Sequence, residues 1–269
     1  MTRTFTILGC GSSMGVPRVA LGWGACDPTN PKNRRRRCSL LVERGSGNAT
    51  TRVLVDTTPD LRDQLLDCRI EALDGVLITH EHADHTHGID DLRPFYVRTR
   101  RQVDIWLDEP TARALRARFG YCFETPAGSQ YPPTLREHRL EAGKTVKIDG
   151  KGGPIDVLPV LQDHGDIVSL GFRFGGPAGS LAYSADIKAL PTGSLDAMRN
   201  LDVWIVDALR ISPHPSHMNL AESLDWVARV KPKRAILTNL HADLDYEALR
   251  QRLPANVEPA YDGMVVAVG

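Results

Sequence analysis

Between Gly75 and Asp91 the chain reads GVLITHEHADHTHGIDD, an apolar strand-like run that empties directly into His80, His82, Asp84 and His85. No other stretch limits the fold so strongly. Imidazoles at i and i+2 cannot share one face of a helix, but just past a strand end, where the chain turns, both can converge on one ion. Asp84 and His85 then point elsewhere and can begin a second site. Four potential ligands within six positions, with acidic residues among them, are hard to bury without metal. A solvated His-rich loop is the alternative.

Metal-capable residues recur in the same context further along: IDVLPVLQD leads to His164, SLAYSA to Asp186 and RAILTN to His241. Strands of one sheet that end at a common edge bring such residues together, which is where ligands gather in α/β architectures. Taken singly, each has a plain alternative, such as a hairpin turn at His164 or a strand-end cap at Asp186.

Short β-rich runs alternate with helices, so the chain reads as α/β. The expected strands are Thr4 to Leu8, Ser39 to Glu43, Arg52 to Asp56, Gly75 to Thr79, Val103 to Leu107, Thr145 to Ile148, Ile155 to Leu161, Ser169 to Phe174, Ser180 to Ser184, Val203 to Val206, Ala235 to Thr238 and Met264 to Val268. Thr58, Pro59 and Asp60 read as N-cap, first helical proline and first-turn acid of a helix running to Asp67. Glu109 to Arg118, Asn219 to Val230 and Tyr246 to Arg252 are further helices.

With 269 residues, 42% hydrophobic, the chain can bury a sizeable core, and a single domain over 1–269 is expected because the glycine- and proline-rich pieces are too short to separate modules. Lys and Arg total 33 against 33 Asp and Glu, so no global field draws the chain to nucleic acid or to acidic membranes. The run Lys32 to Arg37, KNRRRR, has no interleaved aromatics, and no long nucleic-acid partner is expected; a solvated loop and a phosphate anchor near the site both remain open for it. No signal-peptide pattern or membrane-length apolar run is present, so a cytoplasmic location without membrane association is expected. The five cysteines are scattered and without a CxxC pair, which points to reduced thiols.

The pattern H-x-H-x-D-H followed by distant His, Asp and His resembles the metallo-β-lactamase superfamily, and GCGSSMGVPR, WGACDP and HEHADHTHGIDDLR resemble its PhnP-like phosphodiesterase branch. The resemblance implies a four-layer αββα sandwich with a two-metal site at one edge of its paired sheets. It implies His80, His82 and His164 on one ion, Asp84, His85 and His241 on the other, and Asp186 between them. The implied cofactors are two divalent ions, zinc or manganese, because a mainly imidazole and carboxylate set suits either. Two such ions roughly 3.5–4 Å apart lower the pKa of a shared water toward neutrality and neutralise charge on an attacked phosphoryl group. The branch can carry an extra structural zinc on closely spaced cysteines, for which this chain offers only Cys26 and the distant Cys38.

Within WIVDALRISPHPSHMNLAES, Asp207 ends a strand and His217 precedes a helix. By the same resemblance His217 stands beside the leaving group with Asp207 as its acidic partner, and a positioned acid of this kind contributes roughly 10²–10⁴-fold when the leaving group is a poor alkoxide. Helix capping and strand termination are the alternatives, and His214 is a substitute for the acid. Asp84, His217 and Asp207 are the expected catalytic residues, Asp84 doubling as a ligand. The expected substrate is a small, cyclic or nucleotide phosphodiester; a thioester or lactone hydrolase, and a non-catalytic metal-binding protein serving a biosynthetic pathway, are the rival readings. Superfamily members are often dimers, so a homodimer is allowed, although no residue pattern marks an interface. Asp56 is expected behind the ligands, orienting an imidazole; Arg93 is expected either on substrate phosphate or paired with Asp90; and the aromatic loop Tyr121 to Tyr131 could cover a base or sugar. Gly9, Gly11 and Gly15 read as tight turns that permit close backbone approach.

Overall fold

The structure is a computed structural model that describes residues 2–176 and 179–269. Strands β1 (Arg3–Gly9), β2 (Ser39–Ser46), β3 (Ala49–Val55), β4 (Gly75–Leu77), β5 (Val103–Leu107) and β6 (Leu135–Arg139) build a first sheet. A second sheet follows from β7 (Val146–Ile148), β8 (Ile155–His164), β9 (Ile167–Gly175), β10 (Ser180–Ser184), β11 (Val203–Asp207), β12 (Arg234–Thr238) and β13 (Val257–Pro259), before β14 (Val265–Val268) returns to the first beside β1. The helices are α1 (Leu61–Asp67), α2 (Ala83–Thr86), α3 (Arg93–Thr99), α4 (Glu109–Phe123), α5 (Leu220–Val230) and α6 (Tyr246–Arg250).

Side-chain alternation in a strand explains the layering. In β2, Leu40 and Val42 enter a core between the sheets that also holds Phe172 and Tyr183, while Leu41 faces a second core shared with Leu61, Phe95 and Leu115 of α1, α3 and α4. In β11, Val203 and Ile205 face the inter-sheet core, while Trp204 and Val206 pack with Val227 of α5 and Leu249 of α6. Strands buried on both faces must be apolar throughout. The result is the α/β/β/α order.

The ends of the strands carry the chemistry. β3, β4 and β5 run parallel, as do β10, β11 and β12, so within each group the C-terminal ends lie at one edge. Because β9 is antiparallel to both β8 and β10, β8 also ends at that edge of the second sheet. The two rims are joined where Leu170 N–H donates to Thr79 O at 2.9 Å and Leu240 N–H to Cys10 O at 2.8 Å.

Two strands, β6 and β13, and helices α2 and α3 lie outside the sequence expectations. The entry to α1 also differs. Asp60, not Thr58, is the cap position and its side chain makes no cap bond; its Oδ2 accepts from Arg37 N–H at 2.9 Å, and Thr58 Oγ1 accepts from Asp60 N–H at 3.1 Å. A more distant partner has displaced the local cap.

The arginine run is likewise not a solvated loop. Arg35 is 1% exposed and donates to His241 O at 3.2 Å, Leu244 O at 2.7 Å and Asn33 Oδ1 at 3.2 Å, while Arg36 pairs with Asp67 and Asp262 and Arg37 with Asp60. Backbone of this run approaches β1 so closely that a Cβ on Gly9 would collide with Arg37 O. Arg35→Met keeps the apolar stem but removes three hydrogen bonds from a buried position, so the protein is expected to lose roughly 2–4 kcal/mol. Urea unfolding checks this as a lower midpoint at unchanged slope.

Candidate metal centre

One donor atom from each of His80, His82, His164 and Asp186 lies within 4.8 Å of the others, and Asp84, His85 and Asp186 form a second such group. Asp186 belongs to both. Its Oδ1 is 3.1 Å from His85 Nε2, and its Oδ2 is 3.5 Å from His164 Nε2 and 3.8 Å from His80 Nε2. His164 Nε2 and His82 Nδ1 stand 3.2 Å apart, and Asp84 Oδ2 is 3.5 Å from His85 Nε2.

The far nitrogen of each buried imidazole is anchored. His164 Nδ1 donates to Ser216 O at 2.8 Å, and His85 Nδ1 donates to Asp56 Oδ2 at 2.8 Å. His80 Nδ1 meets Thr79 Oγ1 at 2.9 Å, and that hydroxyl donates to Asp56, leaving its oxygen to accept from the ring. With the proton fixed on Nδ1 in all three, the Nε2 lone pair faces the centre, as ligation requires. Asp56 organises this from behind: fully buried at the end of β3, with φ +65°, it accepts from Thr79 N–H and Oγ1 and from His85.

Electrostatics agree with this tautomer pattern. Burial holds His80 well below its usual range, and burial, partly offset by Asp186, brings His164 down to about 4, so both rings are neutral at pH 7. His85 is the exception. Burial would lower it, yet the carboxylates of Asp186, Asp84 and Asp56 outweigh that and hold it well above its usual range. Three carboxylates around a buried ring call for a cation, which a proton supplies at His85 and a divalent ion would supply better. His80 Nε2 is buried without any hydrogen-bond partner, an arrangement that is costly without a ligand. The donor set therefore fits divalent metal.

Beside this cradle stands a second pair. His217 Nδ1 is 2.8 Å from Asp207 Oδ2, its Nε2 is 3.8 Å from Asp186 Oδ2, and its ring centre is 4.7 Å from that of His164. Burial pushes Asp207 up to about 7, while the carboxylates of Asp207 and Asp186, outweighing burial, lift His217 to about 9, so the pair retains a proton through neutral pH. The segment is held by Met218 N–H on Ile187 O at 2.8 Å and by the capping box of Asn219 and Glu222 that opens α5. His214 lies behind His217, its Nδ1 facing Ser216.

His241 is not brought into either group. Its Nε2 faces Arg18 Nη1 at 2.9 Å and its Nδ1 faces Asp243 Oδ1 at 3.0 Å. Arg93 pairs with no carboxylate among the described residues; its guanidinium stands 6.0 Å from the Tyr131 ring centre, in a cavity of ≈ 500 Å³ that Tyr96 and Tyr121 also line. Sequence reasoning missed Asn239, whose Nδ2 donates to Asp207 Oδ1 at 3.2 Å and Asp186 Oδ1 at 3.4 Å. Its φ of +60° is tolerated by asparagine better than by most residues, and an Asn closing an apolar run was the available signal.

Residues 51–239 match the family described as beta-lactamase superfamily domain. An octanoyltransferase of Porphyromonas gingivalis is 29% identical over 263 residues, which are 96% of this chain and 50% of that protein. The exodeoxyribonuclease WalJ of Streptococcus pneumoniae is 26% identical over 173 residues, 63% of this chain and 54% of the relative. The chain thus spans about half the length of these curated relatives. A crystal structure of a diphosphatase from the PhnP family superposes with TM-score 0.87 and 34% identity, covering 99% of this chain and 97% of the other. With matches of this extent to the domain and to a solved member, the chain belongs to the metallo-β-lactamase superfamily and, within it, to the PhnP family.

Proposed function

We propose that this superfamily hydrolase is a two-metal phosphodiesterase acting on small cyclic phosphates or nucleotide phosphodiesters. The observation that carries this is the His217–Asp207 pair, a protonated imidazole whose Nε2 faces the cradle from the side. A phosphodiester leaves as a poor alkoxide and needs a positioned acid, whereas a thioester leaves as a thiolate with less help. The names of two relatives, a PhnP-family diphosphatase and an exodeoxyribonuclease, agree with hydrolysis at phosphorus, the second of them with a phosphodiester.

In this reading His80, His82, His164 and Asp186 would hold one ion, and Asp84, His85 and Asp186 would hold the other. The Nε2 that His241 turns to Arg18 is the donor it would offer to the second ion. The bound pair, zinc or manganese, supplies an acidified water at neutral pH and charge neutralisation at phosphorus. Asp56 and Ser216 keep the His85 and His164 rings in the ligating tautomer. Asp207 orients His217 through Nδ1 and leaves Nε2–H free for the departing oxygen. Residues 1–269 act together as one domain, since the inter-sheet core draws on both sheets.

A thioester hydrolase is the second reading, favoured by the octanoyltransferase relative, half of which lies beyond the alignment. Purified protein loaded with manganese or zinc is expected to hydrolyse bis(p-nitrophenyl) phosphate and to leave lactoylglutathione intact. The reverse preference would remove the phosphodiesterase assignment.

A further inference from the structure

The loop between β1 and β2 delivers Arg18 to the strand-end edge beyond β12, where Nη1 stands 2.9 Å from the Nε2 of His241, two residues past the Asn239 that touches Asp186. A guanidinium only donates, so the ring must accept at Nε2 and carry its proton on Nδ1, opposite Asp243. This contact leaves Arg18 far from satisfied. It forms no salt bridge among the described residues, and its Nε is buried without a partner. Arg36 and Arg37, which close the same loop, are paired with Asp67, Asp262 and Asp60. Arg18 is thus a half-buried cation to which no described residue provides a counter-charge.

Its position is fixed by backbone. Arg18 N–H donates to Gly22 O at 2.9 Å, Val16 and Arg35 exchange hydrogen bonds at 2.8 and 2.9 Å, and Ala25 N–H donates to Ala242 O at 2.8 Å. Arg35 in turn grips His241 O. The same framework therefore carries the backbone of both Arg18 and His241, and the contact between Nη1 and His241 Nε2 at 2.9 Å seats the guanidinium upon it. A cation held in place and lacking an anion calls for an anionic ligand, and a planar fork suits two oxygens on one phosphorus.

We infer that Arg18 is a substrate-anchoring residue, its guanidinium receiving the non-bridging oxygens of a phosphate group that enters the centre, so that the loop selects phosphate esters over uncharged ones. The inference rests on the phosphodiesterase reading for the identity of the ester, but not for the binding of phosphate itself.

Metal-loaded wild type, Arg18→Ala and Arg18→Lys are to be compared by metal content per chain, by calorimetric titration with inorganic phosphate and by KM and kcat on bis(p-nitrophenyl) phosphate. Arg18→Ala is expected to keep its metal, to bind phosphate about 10- to 100-fold more weakly and to raise KM more than it lowers kcat, with Arg18→Lys recovering part of the affinity. Unchanged phosphate affinity and KM would overturn the assignment. So would a gain of metal at unchanged phosphate affinity, which would make Arg18 a mere occupant of the His241 lone pair. Should wild type bind phosphate through Arg18 and yet cleave no phosphodiester, the anchor would stand and the proposed activity would fall.

Discussion

Replacing Asp186 by alanine is expected to bring bound metal below one ion per chain and to lower phosphodiesterase activity by about three orders of magnitude, the scale of the several kcal/mol that an ion contributes to transition-state charge. Among the described residues no other belongs to both donor groups. Its two oxygens face His85 Nε2 at 3.1 Å on one side and His164 Nε2 at 3.5 Å on the other, so one truncation opens both half-sites. The His80, His85 and His164 rings are still held by their Nδ1 partners and do not collapse onto one another, which leaves a polar cradle without its shared anion. Asp186→Asn separates charge from shape. It keeps the volume and the contact with Asn239 but halves the oxygen donors, and it should retain one ion while losing most of the activity. Elemental analysis of purified protein, read beside activity, is the measurement; full metal content and near wild-type rate in the alanine variant would exclude the two-ion cradle.

The layers are legible in the sequence because strands buried on both faces are apolar without interruption, as Leu40, Leu41 and Val42 are, and because the helix faces that cover them are amphipathic. What escapes is held by distant partners. Strand β6, LREHR, has one apolar residue, and its place beside β5 is secured by backbone pairing and by ion pairs of Arg136 with Asp104 and of Glu137 with Arg116. Strand β13 is three residues ending in proline. Neither carries a local period that could announce it. The Lys32 to Arg37 run misleads for the opposite reason: its composition says solvent, yet carbonyls from the His241 loop and carboxylates of Asp60, Asp67 and Asp262 give Arg35, Arg36 and Arg37 partners inside the protein.

The site divides along the same line. His80, His82, Asp84 and His85 are legible as a unit because their chemistry is concentrated in six positions, and His164 and Asp186 because each follows a strand that the topology ends at the shared rim. His241 follows a strand too, but Asn239 turns the chain in the left-handed region and the ring comes to rest against Arg18. Strand ends predict an edge, not a direction. The residues that fix tautomers, Thr79 and Ser216, carry no pattern at all, since hydroxyls and carbonyls are everywhere and only their position gives them a task.

Removing the His217 ring should cost about 10²- to 10⁴-fold on a phosphodiester with an alkyl leaving group, but less than about tenfold on bis(p-nitrophenyl) phosphate. The contrast follows from where the ring stands. Asp207 Oδ2 holds Nδ1 at 2.8 Å, which turns Nε2 to within 3.8 Å of Asp186 Oδ2, at the margin of the centre rather than among its donors. A group there can hand a proton to a departing oxygen without being needed to bind the ion. An alkoxide needs that proton in the transition state, whereas a nitrophenolate leaves nearly as well without it. The loop survives the substitution, because Met218 N–H on Ile187 O, Lys188 Nζ on His217 O and the Asn219 capping box all use groups that His217→Ala leaves in place. Metal content should therefore stay at the wild-type level, which separates this variant from Asp186→Ala. Asp207→Asn should show the same leaving-group contrast in weaker form, since it keeps the ring and removes only the carboxylate that orients it and favours its protonated form. Equal losses of kcat on the two esters would place His217 in binding or structure, and the proton would have to come from elsewhere.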